Sequence, residues 1–231
     1  MSLNFNEDMT KPWRPESETC ILVMTAVEVE REAVMRGLGS DKRFDVMVAG
    51  VGPIAAAVHT SKVLASNKYG LVLSAGIGGG FPGRAEVGSL VVANEIVAAD
   101  LGVETLEGFS RLDELGFGFT SICVDDSLMS KVALALHEAK LPVITGPIIT
   151  VSTATGTAAS AAEMSRRVPE AAAEAMEGYG VALAASSYGV PVLEIRAISN
   201  LVGPRDRNAW RIKEALEVLE QASSVLPEVL S

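Results

Sequence analysis

The chain has little of what marks secreted, metal-binding or membrane proteins. Its two cysteines, Cys20 and Cys123, form no C-x-x-C pair, and two histidines without metal-ligand spacing predict no metal site. No apolar run reaches the ~20 residues that a bilayer span needs. The first 18 residues are polar and lack the apolar centre of a signal peptide. These absences favour a reduced, cytoplasmic setting.

Basic surface is also scarce. Lys and Arg together number 19 against 29 Asp and Glu, so the net charge is −10 and the pI about 4.8. We therefore predict that the chain binds neither nucleic acid nor an anionic membrane. Apolar residues, in contrast, make up 48% of the 231 residues, enough for one domain with a sizeable core. That domain is predicted over residues 19–231, after a flexible leader at residues 1–18.

Apolar, β-rich segments alternate with helical patterns along the chain. Strands are predicted over residues 20–25, 44–49, 71–75, 89–98, 143–151 and 192–199. Helices are predicted over residues 30–36, 53–66, 126–140 and 208–225. Residues 171–176 suit either structure, and the glycine-rich residues 100–120 suit a functional loop or a subunit contact. The alternation predicts a single α/β domain built on a parallel or mixed sheet.

Polar or glycine-rich positions close several of these strands: Glu28, the segment 76–83, Glu177 and Asn200. Ligands of open α/β sheets bind at that edge. The glycines let a phosphate or sugar approach the backbone, although a tight turn explains them equally well. They match neither the dinucleotide fingerprint, because Phe81 stands where the third glycine belongs, nor a P-loop. We therefore predict a small-molecule site without a cofactor.

Two short elements resemble the purine nucleoside phosphorylase and nucleosidase superfamily. They are R-A-I-S-N, which ends at Asn200, and M-E-G, which contains Met176 and Glu177. The resemblance implies a single three-layer αβα domain around a mixed, partly barrel-like sheet. It also implies that Glu177 holds the ribose hydroxyls, that Met176 packs on sugar and base, and that Arg196 orders a catalytic glutamate, either Glu177 or Glu28.

The ends of two further strands resemble the same superfamily. The A-G-x-x-G-G element implies that Ile77 and Gly78 line the ribose and base pocket. At the first strand, A-x-E resembles the element by which nucleosidases place a glutamate beside the attacking water, which assigns Glu28 as the base. The alternative is a solvated carboxylate at a helix start. Because the G-D-P-x-R phosphate element of the phosphorylases is missing, hydrolysis is favoured over phosphorolysis.

The segment that begins at Arg196, R-A-I-S-N-x-V-G-x-R-D-x-x-x-W, resembles the futalosine hydrolases, and so does the segment 151–157 around Thr155. Those enzymes split hypoxanthine from futalosine in a menaquinone route. Adenine-cleaving relatives carry Asp where Asn200 stands. A carboxamide can donate to O6 and accept from a protonated N7 of hypoxanthine, although it cannot itself supply a proton.

Two other functions stay open at this point. One is an adenine-directed methylthioadenosine or adenosylhomocysteine nucleosidase, against which Asn200 and Ala175 argue, because those enzymes carry acids there. The other is a non-catalytic protein that binds purine nucleosides, against which Glu28 and Glu177 together argue. For all of these functions the expected partner is a small purine nucleoside. The resemblance also implies a homodimer or larger homo-oligomer, with residues 100–120 as the contact.

Overall fold

The structure, a computed structural model, describes residues 20–231, so the predicted leader at residues 1–18 lies outside the described part. The strands are β1 (Ile21–Thr25), β2 (Phe44–Val48), β3 (Leu71–Gly80), β4 (Leu90–Ala98), β5 (Gly102–Thr105), β6 (Gly108–Arg111), β7 (Ser121–Cys123), β8 (Val143–Thr150), β9 (Ala173–Ala175) and β10 (Val192–Leu201). The helices are α1 (Glu28–Leu38), α2 (Pro53–Leu64), α3 (Asp126–Glu138), α4 (Ala158–Arg167), α5 (Gly178–Ser187) and α6 (Ile212–Val229), with a 3₁₀ turn at Arg207–Ala209.

A mixed sheet forms the centre of the molecule. Its order is β10-β4-β8-β9-β3-β1-β2, and β10 also pairs with β3. That second pairing closes β10, β4, β8, β9 and β3 into a barrel-like ring, with β1 and β2 extending from it. Most pairs are parallel, while β10–β4, β3–β9 and β4–β7 are antiparallel. The predicted single-domain α/β fold with a partly barrel-like mixed sheet is confirmed.

Two pairs of helices pack at close range, α1 with α6 and α2 with α5. Glycine makes each contact possible. A Cβ on Gly37 would lie 2.2 Å from the Glu220 carbonyl oxygen, and one on Gly180 would lie 2.1 Å from the Pro53 carbonyl oxygen. These approaches pack the last turn of α1 against α6 and the first turn of α5 against the start of α2. No helix within residues 20–231 is long and apolar enough to cross a membrane.

The structure differs from the sequence prediction in three places. The first five glycine-segment residues continue β3 instead of forming a loop, because β10 and β9 supply hydrogen-bond partners there. Residues 171–176 contain β9, and the unpredicted helix α5 follows; its residues are nearly all buried, so no amphipathic period marks it. Residues 100–120, expected to be irregular, contain the β5–β6 hairpin.

Candidate active site

Four buried charged side chains meet where β1, β3 and β10 approach the starts of α1 and α5. Glu30 lies in the first turn of α1, Glu177 precedes α5, and Glu194 and Arg196 lie two residues apart on β10. Each is at most 6% exposed. We call these residues the carboxylate–arginine cluster. Three carboxylates around one guanidinium leave an excess of negative charge in a part of the protein that excludes water.

Arg196 is held from several sides. Its Nε lies 2.8 Å from Glu194 Oε1, its Nη2 donates to Ser74 Oγ at 3.0 Å, and its Nη1 lies 3.5 Å from Glu177 Oε2. Burial alone would lower the pKa of Arg196, but the charges of Glu194, Glu177 and Glu30 outweigh it and raise that pKa. Of the two expected partners, Glu177 and Glu28, the structure therefore places Glu177 beside Arg196, and it adds Glu194 as the closest carboxylate.

Glu30 is fixed by backbone N–H groups. Its Oε2 accepts from Ala26 at 2.8 Å and Val27 at 3.2 Å, and its Oε1 accepts from Ile77 at 2.9 Å. Burial raises the pKa of Glu30, while Arg196 and these hydrogen bonds act against the rise. A carboxylate offers about four acceptor positions, so about one is left free. A desolvated carboxylate with a free position is suited to accept a proton from water.

Glu28, the residue assigned to water activation from the sequence, lies outside the cluster. Its side chain is 58% exposed and forms a 2.7 Å ion pair with Arg31 one turn along α1. Helix α1 begins at Glu28, and two residues correspond to a rotation of about 200°. Glu30 therefore faces the sheet while Glu28 faces away. Glu30, and not Glu28, therefore lies in the cluster, and its carboxylate accepts from the backbone N–H of Val27, the N-cap residue of α1.

Glu177 occupies the N-cap position of α5. Its Oε1 accepts from the Gly52 N–H at 3.2 Å, while its Oε2 faces Arg196. The N-terminus of a helix favours a carboxylate at this point. Met176 is partly exposed beside it. Glu177 therefore connects Arg196 of the cluster with the backbone of Gly52, next to the partly exposed Met176.

Strand β3 passes along the site without side chains at two points. A Cβ on Gly76 would lie 2.6 Å from both Arg196 Nη1 and Glu30 Oε1, so only glycine fits the cluster. Ile77 contributes its N–H to Glu30. At Gly78 the direction of a Cβ is filled by the Glu174 carbonyl oxygen at 2.9 Å. Two residues predicted to bind substrate, Ile77 and Gly78, thus contribute backbone to the site.

A bulge in β10 sets the position of Asn200. Ile198 pairs with Gly78, but Asn200 pairs with Gly79 instead of Gly80, because the register shifts at Ser199. The carboxamide Nδ2 lies 3.3 Å from where a Cβ on Gly79 would stand. Ser199 Oγ donates to Asn200 Oδ1 at 2.9 Å, and Asn200 Nδ2 donates to the Leu201 carbonyl at 3.0 Å. Bulges commonly re-aim side chains next to functional sites.

A second buried acid lies across β3 from Asn200. Glu174 of β9 pairs with Gly79 from the other side and is 7% exposed. Its carboxylate accepts from Thr155 N at 2.8 Å and from Thr155 Oγ1. Burial raises the pKa of Glu174, and the bonds from Thr155 oppose that rise. We call Asn200, Gly79, Glu174 and Thr155 the Gly79 site; it lies three strand residues, about 10 Å, from Gly76 and the cluster.

The sequence-predicted residues therefore fall into two neighbouring groups. Glu177 and Arg196 join the cluster, while Asn200 and Thr155 join the Gly79 site. Glu30, Glu194 and Glu174 were not predicted. Within residues 20–231 no group of three or more His, Cys, Asp or Glu side chains could hold a metal ion.

The fold and this site define a member of the Phosphorylase superfamily, whose profile matches residues 18–231. A futalosine hydrolase from Streptomyces coelicolor is 49% identical over 230 residues, which cover 91% of this chain and 96% of that protein. The chain belongs to the futalosine hydrolase family of that superfamily.

Two solved structures from Helicobacter pylori share the fold. One is the native futalosine hydrolase, with a TM-score of 0.77 and 18% identity over 92% of this chain and 97% of that one. The other is a 5′-methylthioadenosine/S-adenosylhomocysteine nucleosidase with butyl-thio-DADMe-Immucillin-A, with a TM-score of 0.77 and 19% identity over 93% and 98%. The equal TM-scores mean that fold alone does not distinguish these two activities.

Proposed function

We propose that this protein hydrolyses the N-ribosidic bond of futalosine, releasing hypoxanthine and dehypoxanthine futalosine, as a step of menaquinone biosynthesis. The observation that carries the proposal is the 49% identity to a futalosine hydrolase along nearly all of both chains. The two residue groups around β3 support it, because they supply the two functions that this reaction requires: charge at the sugar and hydrogen bonds at the base.

Glu30 is the proposed base. Its carboxylate accepts the proton of a water molecule whose oxygen forms a bond to C1′ of the ribose while the bond from C1′ to the purine breaks. The purine leaves with the electron pair of that bond and takes up a proton from solvent. Three backbone N–H groups fix its orientation, and burial keeps competing water away. In this proposal Glu30 takes the role that the sequence assigned to Glu28.

Glu177 is proposed to hold the ribose hydroxyls. It is ordered by Arg196 and by the Gly52 N–H, so its charge has a defined position. Cleavage of a glycosidic bond passes through a sugar with cationic, oxocarbenium-like character. A fixed negative charge beside that sugar stabilises the transition state more than the ground state.

Asn200 is proposed to select the base. One carboxamide hydrogen and one oxygen lone pair remain after its bonds to Ser199 and Leu201 are counted. These can donate to O6 and accept from a protonated N7 of hypoxanthine, whereas adenine presents a donor at position 6. Thr155, anchored on Glu174, is proposed to close the opposite side of the purine, and Met176 to pack against the nucleoside.

The test is incubation of the purified protein with futalosine in phosphate-free, metal-chelated buffer, followed by separation of the products. We expect free hypoxanthine and a reducing sugar, with ¹⁸O from labelled water at the anomeric position. A requirement for phosphate, with a sugar 1-phosphate product, would place the chain with the phosphorylases. Preference for methylthioadenosine would favour the adenine-directed nucleosidase, and tight binding without cleavage would favour a binding protein.

A homo-oligomer in the cytoplasm is also proposed. Several large apolar side chains between β4 and β7 are at least 39% exposed, namely Leu101, Val103, Leu106, Leu115 and Phe117. Both cysteines are free and exposed, which suits a reducing compartment. Light scattering coupled to size-exclusion chromatography measures the mass in solution; a monomer at micromolar concentration would contradict the oligomer.

A further inference from the structure

Glu194 has no part in the reaction proposed above, although it lies at the centre of the cluster and is fully buried. We propose that Glu194 is a positioning residue that fixes the Arg196 guanidinium and balances its charge, so that Arg196 does not cancel the negative charges of Glu30 and Glu177 that act on the cationic sugar. The proposal rests on the proposed nucleosidase function and names a further residue of the same site.

Geometry gives the first argument. Arg196 Nε donates to Glu194 Oε1 at 2.8 Å, and Arg196 Nη2 donates to Ser74 Oγ at 3.0 Å. With two of its three nitrogens held from one side, the planar guanidinium directs Nη1 toward Glu177 at 3.5 Å. That contact is longer than the one to Glu194, so Glu177 is ordered by Arg196 without being its main partner.

The second carboxylate oxygen of Glu194 is not explained by hydrogen bonding to Arg196. Within residues 20–231, Glu194 Oε2 is buried and has no hydrogen-bond partner. A buried unpaired oxygen is unfavourable, and a glutamine would offer Arg196 Nε the same acceptor without a full charge. Hydrogen bonding to Arg196 therefore does not account for a carboxylate at this position, whereas a need for its charge does.

Gly178 leaves the space that the Glu194 carboxylate occupies. A Cβ there would lie 2.0 Å from Glu194 Oε2 and 2.3 Å from Oε1. Gly178 directly follows Glu177, so the residue after the proposed ribose ligand must be glycine for the Glu194 carboxylate to fit. The start of α5 is thus shaped around Glu194, and the two carboxylates share one packing constraint.

Charge balance connects this geometry to the reaction. With all three glutamates ionised, the three carboxylates and the one guanidinium give the cluster a net charge of −2. If Glu194 were neutral, the full charge of Arg196 would act on Glu177 and Glu30, and the cluster would stabilise a cationic sugar less well. Burial raises the pKa of Glu194, while Arg196 opposes that rise.

The charge of Glu194 also determines the direction in which the acid limb of the pH profile shifts. The groups that face Glu30 are Arg196 and Glu177, together with the N–H groups of Ile77, Ala26 and Val27. Arg196 lowers the pKa of Glu30, and in the native protein Glu194 offsets part of its charge. Neutralising Glu194 therefore strengthens the action of Arg196, and the acid limb of kcat/KM, which reports the base, moves to lower pH.

The experiment compares Glu194→Gln and Glu194→Met with the wild type in futalosine cleavage across pH. We expect Glu194→Gln to lower kcat about tenfold with a smaller change in KM, and to move the acid limb down by about one pH unit. Glu194→Met leaves Arg196 Nε unpaired and should lose on the order of tenfold more. The control is Ser186→Ala, which removes another buried polar atom without a partner from α5 and should leave the limb in place.

A measurement that needs no turnover separates this proposal from the proposed function. In ¹⁵N-arginine-labelled protein, the Nε–Hε signal of Arg196, assigned through Arg196→Lys, should exchange slowly in the wild type and in Glu194→Gln but rapidly in Glu194→Met. If Met and Gln behave alike in this exchange, or the acid limb of Glu194→Gln does not move, the positioning role is wrong. If the wild type leaves futalosine intact while the signal behaves as expected, only the proposed function fails.

Discussion

The carboxylate–arginine cluster and the Gly79 site lie about three strand residues apart on β3, yet they are built on opposite principles. The cluster is buried, with every member at most 6% exposed, and its proposed function depends on ionised groups. In the Gly79 site Asn200 and Thr155 are partly exposed, and the group that would meet a ligand is an uncharged carboxamide.

The difference indicates that the two sites act on different parts of one nucleoside, the cluster on the sugar and the Gly79 site on the base. Charges act most strongly where water is excluded, so the buried end suits bond cleavage. Neutral hydrogen bonds discriminate by matching donors with acceptors, so the open end suits selection of the base. Substitutions in the cluster should therefore change the rate for all substrates, and substitutions in the Gly79 site should change the ratio between substrates.

Glu30→Gln should have the largest effect. It keeps the shape of the side chain and removes the base, which typically costs ~10²–10⁴ in rate. Hypoxanthine release from futalosine measures it, and calorimetry with dehypoxanthine futalosine measures binding, which should persist. Retention of near-normal turnover would remove the cluster from the chemical step.

Glu177→Gln should lower kcat/KM by ~10²–10³, because it removes a fixed charge beside the cationic sugar. The wild type should cleave a 2′-deoxy substrate poorly, and the variant should reduce the gap between riboside and deoxyriboside. Equal cleavage of the two by the wild type would contradict contact between Glu177 and the ribose hydroxyls.

Asn200→Asp tests the role of the Gly79 site in selecting the base. A carboxylate repels O6 of hypoxanthine and accepts from the amino group of adenine, so futalosine should lose ~2–4 kcal/mol of transition-state binding. The measurement is the ratio of kcat/KM for futalosine over its 6-amino counterpart, which should fall by at least about 30-fold. Thr157→Ala, which changes a helix cap beside the same loop, should leave the ratio unchanged. An unchanged ratio in Asn200→Asp would mean that Asn200 does not contact the base.

The sequence was sufficient for much of the fold because long apolar runs such as β10 and β4 leave little choice of structure. It also indicated Glu177 and Arg196 through short superfamily elements. It could have indicated Glu194 as well, since residues two apart on a strand share a face and an acid inside an apolar strand needs a partner.

Other features could not be obtained from the sequence for physical reasons. The spacing A-x-E does not show which of two nearby acids faces the sheet, because that depends on the residue at which α1 begins. Glu174 lies in an alanine-rich stretch where helix and strand propensities do not differ enough to decide. The bulge at Ser199, which aims Asn200 at Gly79, depends on the register between distant strands.

The pH dependence of the wild type gives a smaller, graded effect. Burial raises the pKa of Glu30 above the ordinary value for glutamate. The base must be ionised, so kcat/KM should be constant above that raised pKa and should fall about tenfold per pH unit below it. An acid limb at the pKa of an exposed glutamate would contradict burial of the base. The profile of Glu30→Gln should lack this limb.

Glu28→Gln should have the smallest effect, and it decides which acid of the first helix turn belongs to the cluster. Glu28 is 58% exposed and its partner is the partly exposed Arg31, a kind of surface pair that contributes little. Turnover of futalosine should therefore stay within about twofold of the wild type, with the same acid limb. Arg31→Gln breaks the same ion pair from its other end and serves as the matched control, with some change expected from loss of its 3.0 Å bond to the Val46 carbonyl. A fall of a hundredfold in Glu28→Gln, with a much smaller change in Arg31→Gln, would return the role of base to Glu28.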